Sequence, residues 1–254
     1  MWLLMYKKLI LFYYTWFVKY SKKNMQSKIE IYHDGPTEDQ IINLISPEIK
    51  GFTFNPSIFK KLKISNYLDA CKKYASLAGN KPISLEVIAD TEKEIINQAK
   101  ILSTISDNVY VKVPVMLTTG ETTYELIENL VNKKIQINVT AILTMDQILK
   151  LVPIVKDTNN ILSIFVGRIY DSGIDGENYL KEIIGNKNRK FKYLWASARM
   201  AFDIIKAERS GFDIITLTSD LINKYNKFGK DLNKISNDTV KQFYNDAVDS
   251  GFKI

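Results

Sequence analysis

The feature that most constrains the fold is a regular alternation of two residue patterns from residue 29 onward. Short runs rich in β-branched and aromatic residues, which are typical of strands, alternate with segments in which apolar residues recur at helical spacing. The strand-like runs lie at 29–32, 50–54, 83–88, 109–113, 136–141, 161–166, 192–197 and 213–218. The helix-like segments lie at 36–45, 57–78, 91–105, 121–133, 144–155, 177–185, 199–210 and 236–250.

This alternation predicts an α/β protein with the (β/α)8 TIM-barrel fold. A strand followed by a helix, repeated eight times, favours parallel strands joined by right-handed crossovers that close into a barrel. The alternative is a doubly wound open sheet, which usually has a glycine-rich first turn that this sequence lacks. We therefore expect one barrel domain over residues 25–254, preceded by an extension at 1–24.

The extension at 1–24 differs from the rest of the chain because it is aromatic and lysine-rich and contains no glycine, proline or acid. Its longest apolar run covers residues 9–18, about half the roughly 20 residues that span a bilayer, so a membrane-spanning helix is not predicted. Three interpretations stay open: a secretory signal, although lysines lie where its cleavage site belongs, a membrane-surface segment, and sequence upstream of a true start at Met25. We favour the last and expect no membrane partner.

Charge and cysteine content narrow the functional classes. The net charge is +7, but five lysines lie in residues 1–24 without any acid, so 7 − 5 leaves only +2 for the rest. Nucleic-acid binding, which needs a clustered basic face, is not indicated. The single cysteine, Cys71, allows no internal disulfide or thiolate metal site and suits a reducing cytoplasm. The sequence has one histidine, His33, which we interpret as structural or solvated, so it offers no two-histidine metal site and we expect no metal.

A lysine in the fourth strand is the strongest candidate catalytic residue. Lys112 lies within Val-Tyr-Val-Lys-Val-Pro, and burial would lower its pKa and favour the neutral amine that acts as the nucleophile in Schiff-base chemistry. Asp34, Glu86 and Thr140 end or follow strands 1, 3 and 5, so they should meet Lys112 at the carboxyl face of the barrel. There they could move the protons that imine formation requires. The alternative interpretation is a solvated lysine on an edge strand.

Arginine placement indicates a phosphate pocket. The sequence has four arginines among its 35 basic residues, and two of them, Arg168 and Arg199, follow strands 6 and 7. Barrels often bind phosphate near their last strands, and a guanidinium binds it with two parallel hydrogen bonds. Ser197 lies beside them. The acidic turn at 171–176 could hold a cation, but we interpret it as solvated.

Six short motifs, in this order, resemble the transaldolase family, specifically its short bacterial-type branch related to fructose-6-phosphate aldolase. They are Asn55-Pro56-Ser57, Glu86-Val87, Val111-Lys112-Val113-Pro114, Asn138-Val139-Thr140, Phe165-Val166-Gly167-Arg168 and Ala196-Ser197-Ala198-Arg199. The resemblance extends from about residue 28 to about residue 250. It implies the same barrel, no cofactor, sugar-phosphate substrates and a homo-oligomer, in which the C-terminal helical segment would be a subunit contact.

The resemblance also implies a role for each residue. Lys112 would form a Schiff base with the C2 ketone of a ketose phosphate, and Asp34 would take the C4 hydroxyl proton as the C3–C4 bond breaks. Glu86 and Thr140 would hold the water that shuttles protons. The remaining residues would bind substrate: Asn55, Asn138 and Ser163 would contact the three-carbon unit, and Arg168, Ser197 and Arg199 would bind the phosphate.

The sequence leaves three hypotheses open: two enzymatic activities of this family and a protein without catalytic turnover. Transfer of the three-carbon unit to a second aldose phosphate makes a transaldolase, whereas its release makes an aldolase. The aldolase branch carries Gln and Tyr where this chain has Glu86 and Phe165, which favours transaldolase. A sugar-phosphate-binding barrel is the third hypothesis.

Phe54 stands where the family usually has Thr, and we expect this to remove a hydroxyl from the mouth of the barrel.

Overall fold

The protein is described by a computed structural model that covers residues 29–43, 48–185 and 189–254. Within these residues, parallel strands form a closed barrel in which each strand pairs with the next and β8 pairs with β1. The strands are β1 Glu30–Asp34, β2 Ile49–Thr53, β3 Ile83–Glu86, β4 Val109–Pro114, β5 Ile137–Ile142, β6 Ile161–Ile164, β7 Lys192–Trp195 and β8 Ile214–Leu217. The predicted (β/α)8 fold is confirmed.

Helices follow every strand of the barrel. They are α1 Glu38–Asn43, α2 Pro56–Lys61, α3 Tyr67–Ala78, α4 Glu92–Ser103, α5 Tyr124–Asn132, α6 Met145–Val155, α7 Val166–Asp171, α8 Gly176–Ile184, α9 Asp203–Ser210, α10 Ser219–Tyr225 and α11 Leu232–Asp249. Several begin at a side-chain cap. Thr144, for example, accepts a hydrogen bond from the backbone N–H of Gln147, whose side chain accepts one from the Thr144 N–H in return.

Three helical details differ from the prediction. The segment predicted as one helix over 57–78 is two helices, because Lys63 adopts φ +57° after α2 and Asn66 caps the start of α3. The sixth strand ends at Ile164 rather than at residue 166, and α7 begins directly after it. Helix α10 was not predicted.

Contacts within the chain divide it into two compact units, one ending at Ile222 and the other including Asn223–Ile254. Helix α11 lies in the second unit, begins at the cap Asp231 and has no buried residue. None of the helices in the described ranges combines the length and apolarity needed to cross a bilayer. The predicted boundary between residues 24 and 25 lies outside the described residues.

The barrel interior is filled below its mouth. Tyr32 packs in a cluster with Ile161 of β6, Leu194 of β7, Ala196 just after β7 and Ile214 of the adjacent β8. Gly51 makes room for this ring, because a Cβ at position 51 would lie 2.6 Å from Cζ of Tyr32. The filled lower interior leaves the carboxyl ends of the strands as the place where a ligand can enter.

Candidate active site

A cleft of about 130 Å³ opens at the carboxyl ends of the strands. Seven of the ten predicted site residues line it: Asp34, Asn55, Lys112, Thr140, Ser163, Arg168 and Ser197. Glu86, Asn138 and Arg199 do not line the cleft. Glu86 contacts Lys112, Asn138 contacts Ser163, and Arg199 contacts Asp171. The remaining lining residues, which the sequence analysis did not select, are Thr53, Phe165, Leu194, Ala196 and Thr216.

Lys112 lies inside the barrel with 5 % of its surface exposed. Its Nζ lies 3.1 Å from Oε2 of Glu86 and donates to the backbone carbonyl of Phe54 at 3.3 Å. The strand register fixes the ion pair, because Glu86 of β3 and Lys112 of β4 are directly opposite each other. The pair thus places a carboxylate, which can accept a proton, beside a buried amine.

Asp34 ends β1 and lines the same cleft. Its Oδ1 accepts a hydrogen bond of 2.7 Å from the Thr53 hydroxyl. Burial raises the pKa of the Asp34 carboxyl, while the Thr53 hydrogen bond and the nearby charges of Lys112 and Lys61 act against this rise. A carboxylate with a raised pKa is a better proton acceptor near neutral pH, which suits a general base.

A hydrogen-bonded row of polar side chains crosses the interior beside Lys112. The Asn138 amide donates to Ser84 Oγ at 3.0 Å, and Ser163 Oγ donates to Asn138 Oδ1 at 2.6 Å. Asn138 is fully buried, so it orients Ser163, which reaches the cleft. Thr140 lines the cleft as well, and its buried hydroxyl has no hydrogen-bond partner among the described residues. A buried hydroxyl of this kind requires a partner, such as a water molecule or a ligand.

Asn55 combines a structural role with a place at the cleft. Its Oδ1 accepts from the backbone N–H of Ile58 at 2.9 Å and so caps α2. The fixed carbonyl end leaves the Nδ2 group as the donor that Asn55 can offer to a ligand.

The opposite end of the cleft is built by the close approach of the first turn of α7 to the loop after β7. A Cβ at Gly167 would lie 1.7 Å from the carbonyl oxygen of Ser197, so only glycine fits at this position. Ser197 itself has φ +62°, a left-handed conformation that is unfavourable for most side chains. Arg168 lies nearby, with its guanidinium 5.6 Å from the centroid of the Phe165 ring. This arrangement brings a hydroxyl and a guanidinium together, as an anion site requires.

Arg199 does not line the cleft with Arg168. Its guanidinium binds both carboxylate oxygens of Asp171, from Nε at 3.1 Å and from Nη2. This bond holds the pKa of Asp171 below its usual range. Asp203 accepts hydrogen bonds from the backbone N–H groups of Arg199 and Met200 and so fixes the loop after β7. Asp171 is exposed, as expected for a solvated turn, and it is in addition paired with Arg199.

The expectation for Phe54 was wrong. Its side chain is fully buried outside the barrel, where its ring stacks on Phe59 at a centroid distance of 5.1 Å and contacts Tyr74. Because side chains alternate along a strand, Thr53 faces inward at the preceding position. A hydroxyl of β2 therefore does reach the mouth.

His33 also faces outward, away from the cleft. Its Nε2 lies 2.9 Å from the Ser219 hydroxyl, which donates in turn to Oε1 of Gln40 at 3.1 Å. Burial lowers the pKa of His33 to about 4. The imidazole is thus neutral at pH 7 and links β1 to the start of α10, in agreement with the structural interpretation.

The fold and the cleft define this chain as a (β/α)8 barrel with polar side chains at the carboxyl ends of its strands, where barrel enzymes carry their active sites. Solved structures with the same fold include a putative dihydrodipicolinate synthetase from Pseudomonas aeruginosa, with a TM-score of 0.56, 12% identity, and coverage of 76% of this chain and 71% of that one. N-acetylneuraminate lyase from Mycoplasma synoviae has a TM-score of 0.52, 13% identity, and coverage of 89% and 82%. At these identities the similarity concerns the fold alone.

Sequence comparison identifies the family. Residues 31–254 match the Transaldolase/Fructose-6-phosphate aldolase family. A probable transaldolase of Methanococcus maripaludis is 31% identical over 179 residues, which are 69% of this chain and 79% of the relative. A probable transaldolase of Nitrosopumilus maritimus is 31% identical over 180 residues, which are 69% and 77%. The chain therefore belongs to the transaldolase/fructose-6-phosphate aldolase family and is an enzyme.

Proposed function

We propose that the protein is a cytoplasmic transaldolase of the pentose phosphate pathway that carries a dihydroxyacetone unit on Lys112. The reaction would convert sedoheptulose 7-phosphate and glyceraldehyde 3-phosphate into erythrose 4-phosphate and fructose 6-phosphate. The observation that carries the proposal is the buried Lys112–Glu86 pair, at 3.1 Å, in a cleft that Asp34 also lines. Family membership and the names of the relatives support it.

The first half of the cycle forms the imine. The Lys112 amine attacks the C2 carbonyl carbon of the ketose, and the carbinolamine loses water after its hydroxyl is protonated. Glu86 is placed to accept the proton that leaves Lys112 and to return it to the departing water. The unpartnered Thr140 hydroxyl is a suitable binding partner for that water.

The second half breaks and remakes a carbon–carbon bond. Asp34 takes the proton of the C4 hydroxyl, the C3–C4 bond breaks, and its electron pair moves to the iminium to leave an enamine on Lys112. The aldose phosphate departs. The enamine then attacks the aldehyde carbon of the acceptor, Asp34 returns its proton to the new hydroxyl, and hydrolysis of the imine frees the product.

The two ends of the cleft would bind different parts of the substrate. Ser163, oriented by Asn138, and the Nδ2 group of Asn55 are placed to bind the hydroxyls of the three-carbon unit. Arg168 and Ser197 would bind the phosphate at the other end. Arg199 would also bind the phosphate, once the phosphate displaces the Asp171 carboxylate from the Arg199 guanidinium.

The alternative activity is fructose-6-phosphate aldolase, in which the enamine is protonated and released. Phe165 lines the cleft and offers no hydroxyl to protonate the enamine, which favours transfer over release. A barrel that binds sugar phosphates without turnover is the third candidate, and the ion pair between Lys112 and Glu86 argues against it.

Borohydride trapping tests the proposal. Fructose 6-phosphate is incubated with the protein, the imine is reduced, and the intact protein is weighed. We expect the mass gain of one reduced three-carbon unit on the wild type and none on Lys112→Met. Lys93→Met, which removes an exposed lysine on α4, is the matched control and should still be trapped. A full adduct on Lys112→Met would refute the assignment, and no adduct on the wild type would favour a binding protein.

The acceptor separates the two enzymes. With erythrose 4-phosphate present, a transaldolase should form sedoheptulose 7-phosphate much faster than it releases dihydroxyacetone, whereas an aldolase should release dihydroxyacetone at a similar rate with or without the acceptor.

The predicted oligomer, with α11 as a subunit contact, remains part of this proposal, and sedimentation velocity of the full chain tests it.

A further inference from the structure

A second threonine, Thr216 of β8, lines the cleft near the carboxylate that the mechanism uses as a base. Its hydroxyl lies 2.6 Å from the hydroxyl of Thr53, in a buried contact between the two strands that flank β1. Thr53 in turn donates to Oδ1 of Asp34 at 2.7 Å. Three side chains from β8, β2 and β1 therefore form one continuous chain of hydrogen bonds.

Proton counting gives this chain a direction. A threonine hydroxyl has one proton to donate. Because Thr53 uses its proton for the Asp34 carboxylate, the proton between the two threonines must belong to Thr216. When Asp34 is protonated it can donate to Thr53 instead, and both bonds then reverse. The chain consequently has one arrangement for each protonation state of Asp34.

We propose that Thr216 is a positioning residue that acts on Asp34 through Thr53: by donating to Thr53, it fixes that hydroxyl as a donor and stabilises Asp34 in its ionised, proton-accepting form. The second carboxylate oxygen of Asp34 is thereby left to meet the substrate hydroxyl. This inference rests on the proposed function where it concerns catalysis, but the effect on Asp34 itself does not require turnover.

The other groups that act on Asp34 are separate from this chain. Lys112 and Lys61 both act to lower its pKa, and Lys112 is also paired with Glu86. Replacing Thr216 leaves all of these charges in place. A change in the titration of Asp34 in such a variant would therefore come from the lost hydrogen bond.

The direct test is a carboxyl titration of the full-length protein labelled with ¹³C at the aspartate carboxyl carbons. The resonance that disappears in Asp34→Asn identifies Asp34. In Thr216→Val, which has nearly the same shape but no hydroxyl, we expect its titration midpoint to move upward by several tenths of a pH unit. Thr216→Ser should restore the wild-type midpoint. An unchanged midpoint in Thr216→Val, or a serine variant that behaves like valine, overturns the inference.

Kinetics test its consequence for catalysis. In Thr216→Val the acidic limb of the pH–rate profile for carbon–carbon cleavage should move upward and kcat at neutral pH should fall about two- to tenfold, as expected for one lost hydrogen bond. The yield of borohydride-trapped adduct should not change when the incubation is long enough to reach equilibrium, because a slower cleavage step alters only the rate at which the adduct forms. In a Thr53→Val background, the further change Thr216→Val should have no effect, because the two act in series. If Thr216→Val lowers kcat as much in the Thr53→Val background as in the wild type, the inference is overturned. A wild type that forms no adduct would instead refute the proposed function, and the titration result for Asp34 would still stand.

Discussion

Replacement of the outward-facing histidine should remove a large part of the acid sensitivity of the fold. The pKa of His33 is about 4 in the folded protein and 6.5 in the absence of burial. These values are about 2.5 pH units apart, and each unit corresponds to about 1.36 kcal/mol. The unfolded chain therefore binds a proton that the folded chain does not, over the whole range between the two values.

The sign follows from this difference in proton binding. Above pH 6.5 both states are neutral at His33 and no stability is lost. As the pH falls from 6.5 towards 4, protonation favours the unfolded chain, by about 2 kcal/mol at pH 5 and by at most about 3 kcal/mol at lower pH. Asp34 acts in the opposite direction because its pKa is raised, so a comparison of two variants is needed to isolate the histidine.

The assay is urea unfolding at pH 7 and pH 5, with linear extrapolation to water, for the wild type and His33→Gln. Glutamine does not titrate and can still hydrogen-bond Ser219. We expect the wild type to lose about 2 kcal/mol more than His33→Gln between the two pH values. Equal losses would show that burial of the imidazole does not govern its protonation and would refute the reasoning.

Three further changes test the packing and the anion end of the cleft. Phe54→Thr should destabilise the protein by about 3–5 kcal/mol, by urea unfolding, without a gain in activity, because the ring fills the helix layer; a faster enzyme would contradict this. Gly167→Ala should raise KM for phosphorylated substrates and lower the melting temperature, since the new methyl group collides with Ser197; an unchanged KM and melting temperature would show that α7 and the loop after β7 move apart freely. Asp171→Asn should lower KM about two- to fivefold at constant kcat by releasing Arg199; a higher KM would mean that Asp171 orients Arg199 for phosphate.

The barrel could be predicted from the sequence because each strand carries its own local signal. Buried parallel strands require runs rich in β-branched and apolar residues, such as Ile214–Leu217, whatever their neighbours are. Helix α7 was missed because Phe165 and Val166 continue the apolar pattern of the sixth strand, and only the loop contact at Gly167 shows where the strand must end. The break at Lys63 was missed because its left-handed conformation has no signature in a lysine-rich segment.

The site was predictable where a residue stands out from its own strand. Lys112 and Glu86 interrupt apolar runs, and their contact follows from the strand register. Thr216 carries no such signal, because a threonine in a strand is ordinary and its importance comes from its contact with Thr53, on the other side of β1. The pairing of Arg199 with Asp171 joins side chains 28 positions apart, so sequence spacing alone could not show it.

The opposed positions of Glu86 and Lys112 are set by the backbone ladder that joins two adjacent strands. No loop contributes to that spacing. Loops around the mouth can therefore lengthen, shorten or change their charges during evolution while this buried amine and its carboxylate keep their separation. Related barrels can accordingly diverge in what they bind at the mouth and still keep this pair.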